Sequence, residues 1–323
     1  MAAAGAALCL HAAQPLPALE AEARSVTVSG LSAGGYMAVQ VHVALSAQVR
    51  GAGVLAGGPY YCAQGSLRTA YANCMRPGAF APLPRTQELR AEAQARARGG
   101  AIDPLANLAG SRAWLFHGRE DATVSREVVQ RLAEFYRSLE VQVTEVGELA
   151  AGHAMPTLGA GNRNCGATRP PFINACGYDA AGELLAHLYG PLQAPRPKPA
   201  GRLLRFDQAP FGDRAIGLDS EGFVFVPPEC ERERCRVHVA FHGCRQGAGE
   251  IGERFVREAG YNRWAQANRL IVLYPQVRAS WRPFNPRGCW DWWGYTGAAY
   301  HTREGAQIRA VQGMLERLSG PRR

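Results

Sequence analysis

Lysine is almost absent from this chain: of its 36 basic residues only Lys198 is a lysine, and the arginines are scattered through every segment. No basic run with interleaved aromatics occurs, so the formal net charge of +9 does not build a nucleic-acid surface. No stretch approaches the ~18 consecutive apolar residues of a helical membrane span. No Cys-x-x-Cys pair and no Cys/His cluster with zinc spacing is present, so no metal site is expected. A dinucleotide fingerprint is missing too: Gly51-x-Gly53 has no third glycine in place, and Pro59 blocks the helix that should follow. There is no internal repeat.

What remains is the composition of a globular protein, with 47% hydrophobic and 20% charged residues over 323 positions. That length holds one large core or two modest ones. Nine cysteines stand at positions 9, 62, 74, 165, 176, 230, 235, 244 and 289. Setting Cys9 aside, several of the others come as close pairs. Cys62–Cys74, Cys165–Cys176, Cys230–Cys235 and Cys244–Cys289 is the natural pairing, although spacing alone permits many others. Such cysteine usage points to an oxidising compartment, hence to a secreted or periplasmic protein. The Ala-rich residues 2–13 resemble the apolar part of a secretory signal without its positive start, and a disordered arm is the alternative. We therefore expect a signal or propeptide segment over residues 1–24 and one catalytic domain over 25–323.

Residues 25–45 organise the rest. Val26 and Val28 read as a buried strand, Gly30-Leu31-Ser32-Ala33-Gly34-Gly35 as a tight turn, and residues 36–46 as a helix with Met37, Val41, Ala44 and Leu45 near one face. Gly30-x-Ser32-x-Gly34 is thus a G-x-S-x-G in the strand–turn–helix setting of a serine nucleophile elbow. The alternation then continues. A strand is expected over 49–58, a helix over 86–98, a strand ending at His117-Gly118 before Asp121, a helix over 125–139, and a strand over 141–146 before His153. After a connector at 191–201, strands are expected at 222–227, 236–243 and 269–275, with helices at 255–268 and 304–318. The pattern predicts an α/β fold with a mostly parallel sheet flanked by helices.

Acyl transfer by serine needs a base, an acid that orients it and donors for the oxyanion. Ser32, Asp121 and His153 supply nucleophile, acid and base in the chain order of α/β-hydrolases, and Asp121 and His153 each follow a predicted strand end. His117, His242 and His301 are the rival histidines, and Glu120, Asp103 and Asp179 the rival acids. Phe241-His-Gly-Cys244-Arg-Gln246 resembles the turn that gives the second oxyanion donor, but it lies after the histidine instead of before the nucleophile. Circular permutation reconciles that order, with the backbone amides of Ala33 and Cys244 as donors. Trp281, Trp290, Trp292 and Trp293 are four of six tryptophans in the chain and fall in one Pro/Gly loop. Trp290, Trp292, Trp293 and Tyr295 are candidates for an apolar substrate wall. Tyr60, in an excursion over 59–104 that borders the site, is a further candidate. Asp291 reads as structural.

Gly-Leu-Ser32-Ala-Gly-Gly-Tyr36-Met, Phe-His117-Gly-x-x-Asp121-x-x-Val124, Gly-His153-Ala, Phe-His242-Gly-Cys244-x-Gln246, Asn268 with Tyr274-Pro-Gln276, and Cys289-Trp-Asp-Trp-Trp-Gly-Tyr295 together resemble the secreted poly(3-hydroxybutyrate) depolymerases whose lipase box lies at the amino end. The resemblance covers residues 25–319. It implies a single-domain, circularly permuted α/β-hydrolase that cleaves polyester ester bonds without a cofactor. By motif it implies Ser32, Asp121 and His153 as triad, the Ala33 and Cys244 amides as oxyanion hole, and the tryptophan loop, Trp293 above all, as substrate wall. Many extracellular members append a linker and a polymer-binding domain, whereas this sequence stops soon after Ser319, so oligomers or amorphous polymer are expected substrates. The alternatives are a general carboxylesterase of feruloyl type using the same triad, and, in another class, a non-catalytic polymer- or carbohydrate-binding protein.

Overall fold

The computed structural model describes residues 13–159, 163–195 and 199–322. Its framework is an eight-stranded sheet. The first four strands, β1 (Val26–Leu31), β2 (Val49–Leu55), β3 (Arg112–Phe116) and β4 (Gln142–Val146), run parallel to their neighbours. Three short strands, β5 (Met155–Thr157), β6 (Arg163–Asn164) and β7 (Ile173–Ala175), form a separate small sheet. The main sheet resumes with β8 (Arg202–Asp207), β9 (Glu221–Val226), β10 (Arg236–Phe241) and β11 (Leu270–Tyr274). Helices α1 (Ala33–Ala44), α2 (Leu67–Cys74), α3 (Thr86–Arg98), α4 (Arg126–Arg137), α5 (Ala180–Tyr189), α6 (Ala248–Ile251), α7 (Arg254–Glu258), α8 (Tyr261–Asn268) and α9 (Ala306–Ser319) are distributed between them.

The strand order is β4-β3-β2-β1-β10-β11-β9-β8. Strand β1 sits in the middle, parallel to β2 on one side and to β10 on the other. Only β9, between β11 and the edge strand β8, runs against the rest of the sheet. The chain therefore enters the sheet at its centre, walks to one edge, restarts at the far edge with β8 and β9, crosses to β10 beside β1, and returns to place β11 between β10 and β9. Joining the two ends would turn this into one passage from edge to edge, with a single crossover where β10 and β11 exchange order. The ends do meet: the Leu19 and Ala21 amides donate to Leu318 O at 2.9 and 3.0 Å, and Arg317 Nε donates to Leu16 O at 2.7 Å. That is the geometry circular permutation requires.

Several sequence expectations change. Residues 13–24 are part of the domain rather than a detached segment: Leu16, Leu19 and Ala21 are buried, and Gln14 O accepts the Asp207 amide beside β8. The domain thus begins before Ser25; residues 1–12, with Cys9 and His11, lie outside the described residues. Helix α1 is buried on every side, not on one face. It packs on the sheet with one flank, while Trp292 stacks on Tyr36 and the Asp291 carbonyl accepts from Gln40 on the other. A helix enclosed in this way shows no amphipathic period. The helix expected over 255–268 is two, broken at Gly260, whose φ of 98° is a left-handed conformation that suits glycine. Strand β8 carries no clear alternation and is not foreseen.

Candidate active site

Strand β1 delivers Ser32 to the carboxyl edge of the sheet, where α1 begins at the next residue. Ser32 has φ 56° and ψ −121°, a sparsely populated conformation for a non-glycine residue that costs on the order of 1–3 kcal/mol. The flanking glycines make the turn possible. A Cβ on Gly30 would sit 2.3 Å from the Gly34 carbonyl, and one on Gly34 would sit 2.4 Å from Phe241 O. The Ser32 amide is tied to Leu55 O at 2.8 Å, and its carbonyl accepts the Tyr36 amide at 3.0 Å. Backbone anchors on both sides thus hold the strained residue.

Asp121 lies in the loop after β3 and His153 in the loop after β4. The two loops meet, with His153 Nδ1 2.7 Å from Asp121 Oδ2. The other carboxylate oxygen accepts the amides of Thr123 at 2.7 Å and Val124 at 3.1 Å. Burial works to raise the Asp121 carboxyl, but the hydrogen bond and charge of His153 and the two amides outweigh it and hold the group below the usual carboxylate range. An ionised acid on Nδ1 keeps the proton there and leaves Nε2 as the basic nitrogen. Ser32 and His153 line one cavity, whose walls also include Leu31, Tyr36, Phe172 and Trp293. Among the described residues no hydrogen bond joins Ser32 to His153. Such contacts are often loose before substrate is bound.

The turn after β10 faces the same cavity. Gly243 N donates to Gln246 Oε1 at 2.8 Å and Arg245 N to Arg287 O at 2.7 Å. The Cys244 amide between them has no acceptor among the described residues. Ala33 is the first residue of α1, so its amide is one of the donors that the helix itself leaves unpaired. A disulfide to Cys289 fixes Cys244, and Cys62–Cys74, Cys165–Cys176 and Cys230–Cys235 are also bonded. Gln246 Nε2 donates to the carbonyls of Pro171 and Phe172 at 3.0 and 3.1 Å, tying the turn to the loop beside His153.

No family model matches the chain. Among curated proteins it is similar to a poly(3-hydroxybutyrate) depolymerase from Delftia acidovorans, 42% identical over 98% of this chain and 65% of that protein. It is also similar to a polyhydroxybutyrate depolymerase from Talaromyces funiculosus, 37% identical over 95% of this chain and 93% of that protein. The chain belongs to the polyhydroxybutyrate depolymerase family. It spans about two thirds of the Delftia protein and nearly all of the Talaromyces one. Two solved structures agree in fold. A PHB depolymerase variant complexed with an R3HB trimer gives a TM-score of 0.85 at 34% identity, and the PHB depolymerase from Penicillium funiculosum gives 0.84 at 35%. In each case 95% of this chain and 99% of the other are covered.

Within this depolymerase-family fold the aromatic candidates separate into two groups. Trp292 and Trp293 line the cavity; Trp292 stacks on Tyr36 with ring centroids 4.0 Å apart and meets Trp293 edge-on at 5.8 Å. Trp290, Tyr295 and Tyr60 do not line it. Trp290 is fully buried against Phe241 and His242, Tyr295 donates its hydroxyl to Cys289 O, and Tyr60 lies in the core with its hydroxyl on His301 O. Each is consumed by packing away from the cavity. Asp291 is structural, since its carboxylate gathers the amides of Trp293, Gly294, Tyr295 and Thr296 and the Thr296 hydroxyl.

The rival histidines are also accounted for. His117 Nε2 reaches Val124 O at 2.9 Å and shapes the Asp121 loop. His242 Nε2 accepts the Val277 amide at 3.2 Å behind the turn. His301 is buried beneath Tyr60 and Tyr61, outside the cavity lining. Tyr36, Leu67, Tyr71 and Phe172, which complete the apolar walls, are not singled out by the sequence as wall residues. Tyr36 stands two residues beyond the G-x-S-x-G, and that proximity to the elbow is the signal that would have found it.

Proposed function

We propose that the chain is a serine esterase that cleaves ester bonds of poly(3-hydroxybutyrate) or its oligomers through an acyl-enzyme. The 2.7 Å contact between His153 and the ionised Asp121, beside a cavity shared with the strained Ser32, carries this reading. His153 Nε2 takes the Ser32 hydroxyl proton as Oγ attacks the ester carbonyl. Negative charge on the carbonyl oxygen is met by the amides of Ala33 and Cys244. The ester C–O bond then breaks, and the departing alkoxide takes the proton from His153. Water, deprotonated by the same nitrogen, releases the acyl group and restores Ser32. Apolar walls that include Trp292 and Trp293 suit a chain of methyl-bearing ester units. Four disulfides favour a secreted or periplasmic site of action, and the domain from Gln14 onward acts as the catalytic unit.

The test is release of 3-hydroxybutyrate from amorphous polymer and soluble oligomers by the wild type and by Ser32→Ala. The variant is expected to lose activity and keep the wild-type thermal transition. Full activity in Ser32→Ala would remove the nucleophile assignment, and wild-type activity confined to feruloyl or p-nitrophenyl esters would move the chain to the general carboxylesterases.

A further inference from the structure

The cavity that holds Ser32 carries two basic residues and no acidic one in its lining. Arg245 and Arg287 both line it, while no aspartate or glutamate does. Asp121, outside that lining, has a side chain only 1% exposed and is already paired with His153. Neither arginine makes a salt bridge or a side-chain hydrogen bond among the described residues. Their backbones are joined by the Arg245 N to Arg287 O bond at 2.7 Å, and the Cys244–Cys289 disulfide locks the two segments together. The Arg245 guanidinium lies 5.2 Å from the ring centre of Phe172, another cavity wall, which limits where it can swing. Two arginines with no ionic partner among the described residues therefore stand together in the lining of a cleft whose other walls are apolar apart from Ser32, Thr123, His153, Thr168 and Gln246.

A polyester of hydroxy acids is uncharged along its length. Its one anionic group is the free carboxylate at its end, the group that arginine pairs recognise best. We propose that Arg245 and Arg287 form a subsite for the terminal carboxylate of a hydroxyacid oligomer, so that the enzyme works inward from the carboxyl end. The proposal rests on the esterase reading above. The chemistry fixes which product leaves first. In any ester of such a chain, the carboxyl terminus lies on the alcohol side of the bond. A chain held by its carboxylate at the arginines thus presents its carboxyl-terminal portion as the leaving group. Ser32 Oγ bonds to the carbonyl carbon and the ester C–O bond breaks. The alkoxide of the carboxyl-terminal hydroxy acid takes the proton from His153 and departs, and the hydroxyl-terminal remainder stays on the serine until water releases it.

The experiment compares the 3-hydroxybutyrate trimer as its free acid with the same trimer as its methyl ester, at low and high salt, in the wild type and in Arg245→Gln/Arg287→Gln. For the wild type, kcat/KM for the acid is expected to exceed that for the methyl ester by about tenfold at low salt, the scale of a charge-assisted contact at an exposed rim. Salt should compress that ratio, because the arginines are solvent-exposed. In the double variant the ratio should fall to about one, and Arg245→Lys/Arg287→Lys should restore part of it. Mass analysis of the first product from a hydroxyl-end-labelled tetramer should find the unlabelled carboxyl-terminal monomer, and a dimer or trimer in its place would overturn the subsite. Equal rates on acid and methyl ester in the wild type, or an unchanged ratio in a double variant with wild-type thermal stability, would overturn the carboxylate subsite while leaving the esterase intact. No hydrolysis of either trimer by the wild type would overturn both.

Discussion

His153 and Asp121 are 32 residues apart in sequence, yet their side chains meet at 2.7 Å with both nearly excluded from solvent. The contact sets the tautomer of the imidazole and balances the charge it gains when the Ser32 proton arrives. Asp121→Asn preserves the shape but offers an amide where a carboxylate stood, so the histidine is free to place its proton on the wrong nitrogen. We expect kcat to fall by roughly 10³- to 10⁴-fold with little change in KM. Steady-state kinetics together with a thermal melt would check this, and a loss below tenfold would show that the acid does not orient the base.

The same residue links pH to stability. Because the folded Asp121 carboxyl titrates below its ordinary range, it contributes stability above that range that is lost as pH falls through its folded value. Buried histidines act in the same direction by another route. Burial pushes His42 and His238 down to about 3 and His242 down to about 4, so all three are neutral in the fold near pH 5. The unfolded chain protonates them near their ordinary value, and each costs the folded state about 1.4 kcal/mol per pH unit below it. Their stability is thus fully present above ~6.5 and declines as pH drops toward 4. Melting temperatures measured across pH 4 to 8 should be flat at the upper end and fall steeply below about 6. A flat profile down to pH 4.5 would contradict the neutral, buried state of these rings.

Much of this was legible in the sequence, for reasons that differ by residue. Asp121 and His153 stand out because each lies in the loop after a strand, β3 and β4, and in a parallel sheet such loops share one edge. The Gly30 and Gly34 requirement is visible because a close backbone approach leaves no other residue type possible. Burial direction is less accessible. Trp290, Tyr295 and Tyr60 have the composition of a binding wall, but whether an aromatic faces a cleft or the core depends on partners far away in sequence, such as Phe241 and His301. The packing of residues 13–24 against Leu318 depends likewise on a contact between opposite ends of the chain. Arg245 and Arg287 escape notice because an arginine among 36 basic residues carries no local signal; only their shared position at the cavity distinguishes them.

The disulfide between Cys244 and Cys289 closes a loop 45 residues apart in sequence and sits where an oxyanion donor is proposed. By chain entropy alone it contributes about 4 kcal/mol. Its second effect is positional, since Cys244 is part of the turn. Cys289→Ser is therefore expected to lower kcat on soluble oligomers by about ten- to a hundredfold even at temperatures where the variant is fully folded, short of the complete loss of one donor. Opening Cys230–Cys235, whose loop spans only 5 residues beyond β9 and away from the cavity, should reduce stability with no such loss of rate. If both variants lose activity only in proportion to their unfolding, the turn does not depend on its bridge.

Asp291 offers the sharpest separation of binding from chemistry. Its carboxylate is buried, and burial raises its titration despite the donors around it. Those donors are the backbone of the very loop that presents Trp292 and Trp293. Asp291→Ala leaves four amides and a hydroxyl without their acceptor, a loss on the order of 3 kcal/mol, and it releases the loop. Asp291→Asn keeps an oxygen for part of the set and should lose less. Neither change touches Ser32, His153 or the Cys244 turn. Substrates that need the tryptophan wall should suffer in KM, while a p-nitrophenyl ester small enough to bypass it should keep most of its kcat. Kinetics on 3-hydroxybutyrate oligomers and on p-nitrophenyl acetate, run on the folded fraction of each variant, would distinguish the cases. A parallel fall in kcat on both substrates would mean that the loop supports the catalytic groups themselves and not the substrate.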